Sequence, residues 1–379
     1  MRRIYVDHAA TTPVHPRVIE AMLPYMDKQF GNPSSIHVFG RETKAAVEEA
    51  RRTIARLLGA EAKQITFTSG GTEADNMAIL GVAFAAREKG NHVITSQIEH
   101  HAVLHACQYL ESQGFAVTYL PVDENGRVRP DDVREALRED TILVSVMYAN
   151  NETGAVQPVE EIGALVREKG ILFHTDAVQA LGMLSFDVST LPVDLVSFSG
   201  HKINGPKGSG CLYVRETVKL HPLLYGGAQE RNRRAGTENV PGIIGFAEAL
   251  KLAQQDIEAK REKYAGLRQR FLDILRAEQV VFQINGDLDH CLPHIVNLSF
   301  AGVKADALLM NLDLEGIAAS SGSACTAGSL QPSHVILAMY GDEERAGSAI
   351  RFSFGLGNTL EQIEEVAYKT ARIIKRLQA

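Results

Sequence analysis

The chain has 379 residues, 45% of them hydrophobic and 22% charged, with a formal net charge of −7. That length favours two domains over one core, and the acidic balance argues against nucleic acid as the main ligand. Residues 1–7 lack the apolar stretch of a secretory signal and no apolar run is long enough to span a bilayer, so a cytoplasmic protein without a membrane contact is expected.

A short strand and a polar turn occupy residues 4–13, a second turn follows at 31–35, and helical periodicity runs over 42–58. From there β-rich runs at 65–68, 92–96, 116–120, 141–148, 171–174 and 195–198 alternate with helical patterns, most clearly at 69–87, 101–113, 130–138 and 159–169. Such alternation predicts βαβ units and a mostly parallel sheet covered by helices on both faces. Beyond Gly242 the character shifts. Residues 243–277 read as one long, charged helix connecting two domains. Short strands are expected at 280–283, 295–300, 316–319 and 349–354, with helices at 304–312 and 360–377. In the last helix Leu360, Ile363, Val366, Ala367, Thr370, Ile374 and Leu377 share one face, the pattern of a core-facing helix.

Several stretches carry chemistry. Residues 195–210 bring a short strand into Ser199-Gly200-His201-Lys202 and a Gly-rich turn, which holds Lys202 in place; a neutral lysine amine forms a Schiff base with a carbonyl. Ser69-Gly70-Gly71-Thr72-Glu73, between strand and helix, is a phosphate cradle or an ordinary helix cap. Asp176 ends a strand at the edge where open α/β sheets bind ligands. It either holds the protonated pyridine nitrogen of pyridoxal phosphate or caps the next helix. His100, in Glu99-His100-His101, suits stacking on a flat ring better than binding metal, because neighbouring side chains point apart; a surface histidine pair is the alternative. No metal site is expected.

The four cysteines form no C-x-x-C pair, and in a reducing compartment none is expected in a disulfide. Cys107 and Cys211 read as small buried hydrophobes and Cys291 carries no signal. Cys325 differs, because Ser320-Ser321-Gly322-Ser323-Ala324-Cys325-Thr326 surrounds it with small residues, the composition of a loop that exposes a thiol. The alternative is an incidental cysteine. Arg231-Asn232-Arg233-Arg234 is short and lies in an acidic chain, which favours a subunit contact or an anion site over nucleic acid.

Together these residues resemble the cysteine desulfurases, pyridoxal 5'-phosphate enzymes of the aspartate aminotransferase fold (fold type I). Ser197-Phe198-Ser199-Gly200-His201-Lys202 is similar to the family's cofactor-lysine motif and residues 320–326 to its sulfur-loop motif, within a likeness that spans essentially the whole chain. The resemblance implies a large cofactor-binding α/β domain over 14–255, and a smaller α/β domain from 1–13 and 256–379 carrying the Cys325 loop. It implies Lys202 as the Schiff-base residue and Cα base, Cys325 as the persulfide carrier and His100 as the stacking imidazole and local proton donor or acceptor. Gly71, Thr72, Ser199 and His201 would hold the phosphate, with Thr237 reaching it from the other subunit of a homodimer. Asp176 would face the pyridine nitrogen and Gln179 the ring oxygen, with Asn151 beside the ring; Asn32 and Arg351 would hold the substrate carboxylate.

The expected reaction converts L-cysteine to L-alanine and moves sulfur to Cys325, then to an acceptor protein. The chain stops at Arg376-Leu377-Gln378-Ala379, and residues 354–359 lack the arginine common in the iron–sulfur housekeeping members. These departures favour a tRNA-thiolating acceptor over an iron–sulfur scaffold. Aminotransfer or selenocysteine cleavage would keep Lys202 and Asp176 without requiring Cys325. A non-catalytic cofactor-binding module would lack the lysine or the carboxylate, and neither is missing.

Overall fold

The computed structural model describes residues 3–322 and 332–378. Its strands are β1 (Ile4–Tyr5), β2 (Ile65–Thr68), β3 (His92–Ser96), β4 (Ala116–Leu120), β5 (Thr141–Ser145), β6 (Leu172–Asp176), β7 (Leu195–Ser199), β8 (Gly210–Val214), β9 (Gln283–Ile284), β10 (Ile295–Ser299), β11 (Ile317–Ala318) and β12 (Ala349–Ser353). Seven of them form one sheet in the order β2-β8-β7-β6-β5-β3-β4, parallel throughout except for β8, which pairs antiparallel with both neighbours. This is the mostly parallel α/β architecture expected from the alternation of elements.

The central strands are apolar on both faces because both are covered. Val93, Leu143, Leu195 and Leu212 pack with helices Gly71–Ala85 and His101–Ser112. The alternate residues Ile94, Val144, Val196 and Cys211 pack on the other face with helices Val38–Leu58, Val159–Glu168 and Val240–Ala253. Neighbouring residues of a strand point to opposite faces, so a period of two on a continuous apolar run serves both layers. A separate core joins the antiparallel trio β12-β10-β9 to helices Ile257–Ala277, Ala305–Leu314 and Leu360–Gln378. Ile4 and Val6, from the first residues of the chain, belong to this second core, and β1 pairs in parallel with β11.

Two expected helices change, and the strand expected at 280–283 forms instead at Gln283–Ile284. The continuous helix over 243–277 is two helices, Val240–Ala253 and Ile257–Ala277, separated at Asp256, which takes a left-handed φ of 47°. The Lys260 ammonium reaches back across the break to the carbonyl of Ala253, occupying an acceptor that a continuous helix would have used. The helix expected from residue 42 begins at Val38, where the His37 ring accepts a hydrogen bond from the Gly40 N–H at 3.3 Å. Imidazole capping is not part of the usual Ser/Thr/Asp/Asn start signal.

Arg51 of helix Val38–Leu58 and Glu230 form a bidentate pair at 2.6 and 2.7 Å, with side chains 4% and 3% exposed. Glu230 also accepts from the Phe67 N–H, and Arg51 donates to the Ile65 carbonyl, so the 229–236 segment is pinned to β2. Removing one partner of a buried pair strands the other charge. Glu230→Ala should therefore lower unfolding free energy by about 3–5 kcal/mol, read as a reduced midpoint in urea; a midpoint within error of the parent would show that the pair is replaceable.

Candidate active site

The ends of β2, β3, β5, β6 and β7 share one edge of the sheet, and the chain leaves that edge through the segments that carry the candidate residues. Asp176 is the last residue of β6. Its register partner on β7 is Ser197, so Ser199 and the following one-turn helix Gly200–Lys202 project from the same edge. Two adjoining cavities result. One, of about 260 Å³, is lined by Gly71, Thr72, His100, Asn151, Asp176, Gln179, Ser199, His201, Lys202 and Arg351. The other, of about 390 Å³, shares Gly71, Thr72, Ser199 and His201 with it and extends to Ser69, Lys207 and Gly208. A larger cavity of about 900 Å³ opens among exposed Lys89, Arg134 and Lys169, beyond the opposite edge of the sheet, and holds none of the candidates. Volume does not pick out chemistry.

The second cavity is the mouth of helix Gly71–Ala85. Gly70 adopts φ 152° and ψ −172°, a conformation reserved for glycine. Gly210 approaches so closely that a Cβ on it would lie 2.9 Å from the Gly70 Cα. These two glycines allow the first N–H groups of the helix to face the recess, where the helix dipole adds partial positive charge. The Ser199 hydroxyl is buried beside them with no hydrogen-bond partner. Such an orphan is costly unless a ligand takes it up. Glu73, in the first turn, is matched by Arg234 at 2.8 Å and accepts the Ser69 N–H.

At the other end, Asp176 accepts from the Val178 N–H at 2.8 Å. Burial pushes its carboxyl up to about 6, against the pull of its Val178 bond and of Lys202. Lys202 Nζ donates to the carbonyls of Ala9 and Ala10 at 2.5 and 2.7 Å, and Gln179 donates to Ala9 at 3.0 Å. His201 meets the Thr11 hydroxyl at 3.1 Å, and its carbonyl takes the Thr12 hydroxyl at 2.7 Å. The N-terminal turn thus straps the lysine turn. His100 caps helix His101–Ser112 by accepting from the Ala102 N–H at 3.1 Å. Burial, then Lys202 nearby, pushes its imidazole down to about 4, and burial does the same to His201. Both rings are neutral at pH 7, so they serve as hydrogen-bonding or stacking groups without charge.

Arg351, on β12, is 3% exposed. Its Nη1 donates to the Asn151 carbonyl at 2.7 Å and its Nη2 to Asp7 Oδ1 at 2.8 Å, leaving Nε buried without an acceptor. Asn32 and Thr237 are exposed and lie outside the cavity lining; the Asn32 side chain accepts from the Ser34 N–H. Cys325 falls outside the described residues. The described chain stops short of it at Gly322, which lines the cavity, and resumes near Ser333, whose hydroxyl donates to buried Glu152 at 2.5 Å.

Asp7, Asp75, Met147 and Glu152 contribute to the site without having been singled out by sequence reasoning. Asp75 alone had a local signal, since it follows Gly71 by one helical turn and so shares its face. Among the described residues no cluster of three or more His, Cys, Asp or Glu side chains is arranged to hold a metal ion, and no helix is long and apolar enough to cross a membrane.

A further cavity of about 270 Å³ lies against Lys202 and Gln179, with His8, His294 and Tyr264 in its wall. His294 is 6% exposed, and burial pushes its imidazole down to about 3. The folded protein therefore refuses a proton that the unfolded chain accepts below about pH 6.5. The stability this gives is full above that value and is lost as pH falls toward 3. His294→Gln should gain about 2 kcal/mol relative to the parent between pH 7 and pH 5, measured by denaturant unfolding at both values. An unchanged difference would mean that His294 protonates in the folded state.

Residues 4–366 match the family model of the class-V aminotransferases. The chain is 59% identical over 378 residues to a putative cysteine desulfurase IscS 1 of Bacillus subtilis, covering all of both chains. A solved NifS-like protein superposes with a TM-score of 0.93 at 38% identity, covering 99% of this chain and 100% of that one. SspA, solved in complex with cysteine, gives a TM-score of 0.83 at 38% identity over 93% of this chain and 99% of its own.

Proposed function

The chain belongs to the class-V aminotransferases as a pyridoxal-phosphate-dependent cysteine desulfurase, and on that premise we propose that Lys202, Asp176 and the Ser69–Glu73 recess divide cofactor binding while Cys325 receives the sulfur. One observation carries this reading. A lysine and a buried acid face one cavity, whose far end is a helix mouth holding an unpartnered Ser199 hydroxyl. The residues present fit the group: a recess for a phosphate, a flat space beside His100 and a carboxylate for a ring N–H.

Bound there, pyridoxal phosphate supplies a carbonyl for an amino group and an electron sink for the bonds at Cα. The chain's own residues do the rest. Gly71, Thr72, Ser199 and His201 would hold the phosphate, Asp176 would keep the ring nitrogen protonated, Gln179 would serve the ring oxygen, and Asn151 and His100 would lie beside the ring. Arg351 offers its open Nε–H to the carboxylate of L-cysteine, with Asn32 as the second anchor. Lys202 would take the Cα proton, and neutral His100 would move protons near the sulfur. The Cys325 thiolate attacks the substrate sulfur. A sulfur–sulfur bond would form as the carbon–sulfur bond breaks; its electron pair stays with the carbon fragment, which gains one proton at Cβ and recovers one at Cα to become L-alanine.

The division into a large domain over 14–255 and a small one from 1–13 and 256–379 is part of this reading; the two separate apolar cores support it. We also read the protein as a cytoplasmic homodimer, with Thr237 of one subunit reaching the other's phosphate. Leu23, Met26, Phe30, Ile36, Val38 and Phe39 form an exposed apolar stretch, Ile36 at 90% exposure, which supports burial against a second copy. Buried unpaired Cys107, Cys211 and Cys291 suit a reducing compartment. The sulfur acceptor in this reading is a tRNA-thiolating enzyme, because Leu356 stands in the segment where the housekeeping members carry arginine. Depleting the protein in its host and measuring thiolated tRNA against iron–sulfur enzyme activity separates the two acceptors: early loss of the iron–sulfur enzymes alone would assign the scaffold.

Borohydride reduction of the holoenzyme and peptide mapping should place the pyridoxyl label on Lys202; a label on Lys207 would refute the lysine assignment. Cys325→Ser should keep the cofactor and bind L-cysteine yet lose persulfide and alanine production, whereas full turnover would end the persulfide mechanism. Arg351→Ala should lower kcat/KM for L-cysteine by roughly tens- to thousands-fold with the cofactor absorbance unchanged, and Arg351→Lys should recover only part. Loss of the cofactor in that variant would instead make Arg351 part of the frame through its tie to Asp7.

A further inference from the structure

A second acid stands beside Asp176 that the reaction above does not use. Asp75 lies in helix Gly71–Ala85, one turn beyond the phosphate recess, and lines the same cavity of about 260 Å³ as Asp176. It is 1% exposed, and its Oδ1 has no hydrogen-bond partner. The groups facing it come from β6, β7 and the segment after β3. Ser197 of β7 bonds its carboxyl, His174 of β6 brings Nε2 to 3.7 Å, Asp176 ends β6, and Glu99 follows β3. Lys202, after β7, acts on Asp176.

His174, the basic side chain 3.7 Å away, brings Asp75 no positive charge. The two ring nitrogens of His174 lie 2.8 Å from the Ser145 hydroxyl and 3.0 Å from the Ser197 hydroxyl, and burial pushes the imidazole down to about 3. Glu99 is another buried acid, and the Arg351 charge is matched by Asp7. Asp75, Asp176 and Glu99 are thus three buried acids, and Lys202 bears on Asp176. Adjoining buried carboxylates cannot both ionise without a large cost, so such a pair shares a proton.

We propose that Asp75 is a positioning residue that carries the proton of this buried carboxyl pair and thereby leaves Asp176 the anion facing the cofactor's ring nitrogen. The proposal rests on the reading of Asp176 given above. Burial, then the Asp176 charge, pushes the Asp75 carboxyl well above the ordinary carboxylate range, while Asp176, raised by burial, is held to about 6 by the Val178 N–H and then by Lys202. Two acids whose surroundings separate them in this order divide the roles of neutral donor and anion.

The holoenzyme and its Asp75→Asn variant, both carrying ring-nitrogen-labelled cofactor, test it at pH 7. The infrared difference between them should contain the C=O band of one protonated carboxyl group, lost in the variant. The ring-nitrogen NMR shift should be the same in both, because Asp176 is an anion in both. Absence of the band would mean that both acids are ionised and would overturn the proposal. A band accompanied by a moved nitrogen shift would place the proton on Asp176 and overturn it equally. Should D75N fail to fold, Asp75→Ser gives the same two readings with a smaller neutral side chain. Asp176→Ala reports on the underlying assignment separately: an unmoved ring-nitrogen shift there would remove Asp176 as the nitrogen's partner, whatever Asp75 does.

Discussion

The site depends on where the Lys202 ammonium is held. Its two acceptors, the carbonyls of Ala9 and Ala10, belong to a turn whose upstream strand β1 is built into the second core, while Lys202 itself sits at the end of β7 in the seven-stranded sheet. Charge-assisted bonds of this kind contribute about 1.5–3 kcal/mol each. They act across the junction of the two cores, together with Thr12 on the His201 carbonyl, Gln179 on Ala9 and Arg351 on the Asn151 carbonyl. A lysine fixed by backbone carbonyls cannot wander into solvent, and the geometry of its neighbours follows from that constraint.

Around this point the protein holds charge sparingly. His8, His100, His174, His201 and His294 are all pushed down by burial to about 3 or 4, so they serve as uncharged partners. Glu99 and Glu152 are pushed up by the same cause, Glu99 to about 8. In a low-dielectric pocket each remaining charge acts strongly. Asp176, Lys202 and Arg351, the last paired with Asp7, are charged groups of the cavity lining that meet a charged cofactor and a zwitterionic substrate.

Glu152 and Arg351 come together near Gly322, a residue that lines the cavity. Asn151, which lines the cavity, gives its carbonyl to Arg351, and the next residue, Glu152, takes the Ser333 hydroxyl. The missing Cβ of Gly322 leaves room for the Glu152 carboxylate, 2.0 Å from where that atom would be. One dipeptide therefore touches the cavity and the residues on both sides of the 323–331 segment.

The local order of the chain was open to reading from composition alone. Strands with apolar runs, the Gly70-Gly71 helix mouth, Asp176 at a strand end and Lys202 on its turn are short-range features, each set by the residues within a few positions of it. The sequence by itself also marked Cys325 as unlike the other cysteines, from the small residues beside it. Tertiary structure alone decided what lies far apart in sequence and close in space: the Asp7–Arg351 pair, Ser333 on Glu152, and the strap of residues 7–13 over Lys202. It also broke the helix at Asp256 and turned Asp75 toward Asp176. The physical reason is that periodicity reports which face of an element is buried, whereas partner choice among buried polar groups depends on how separate elements dock, and docking is a property of the whole chain.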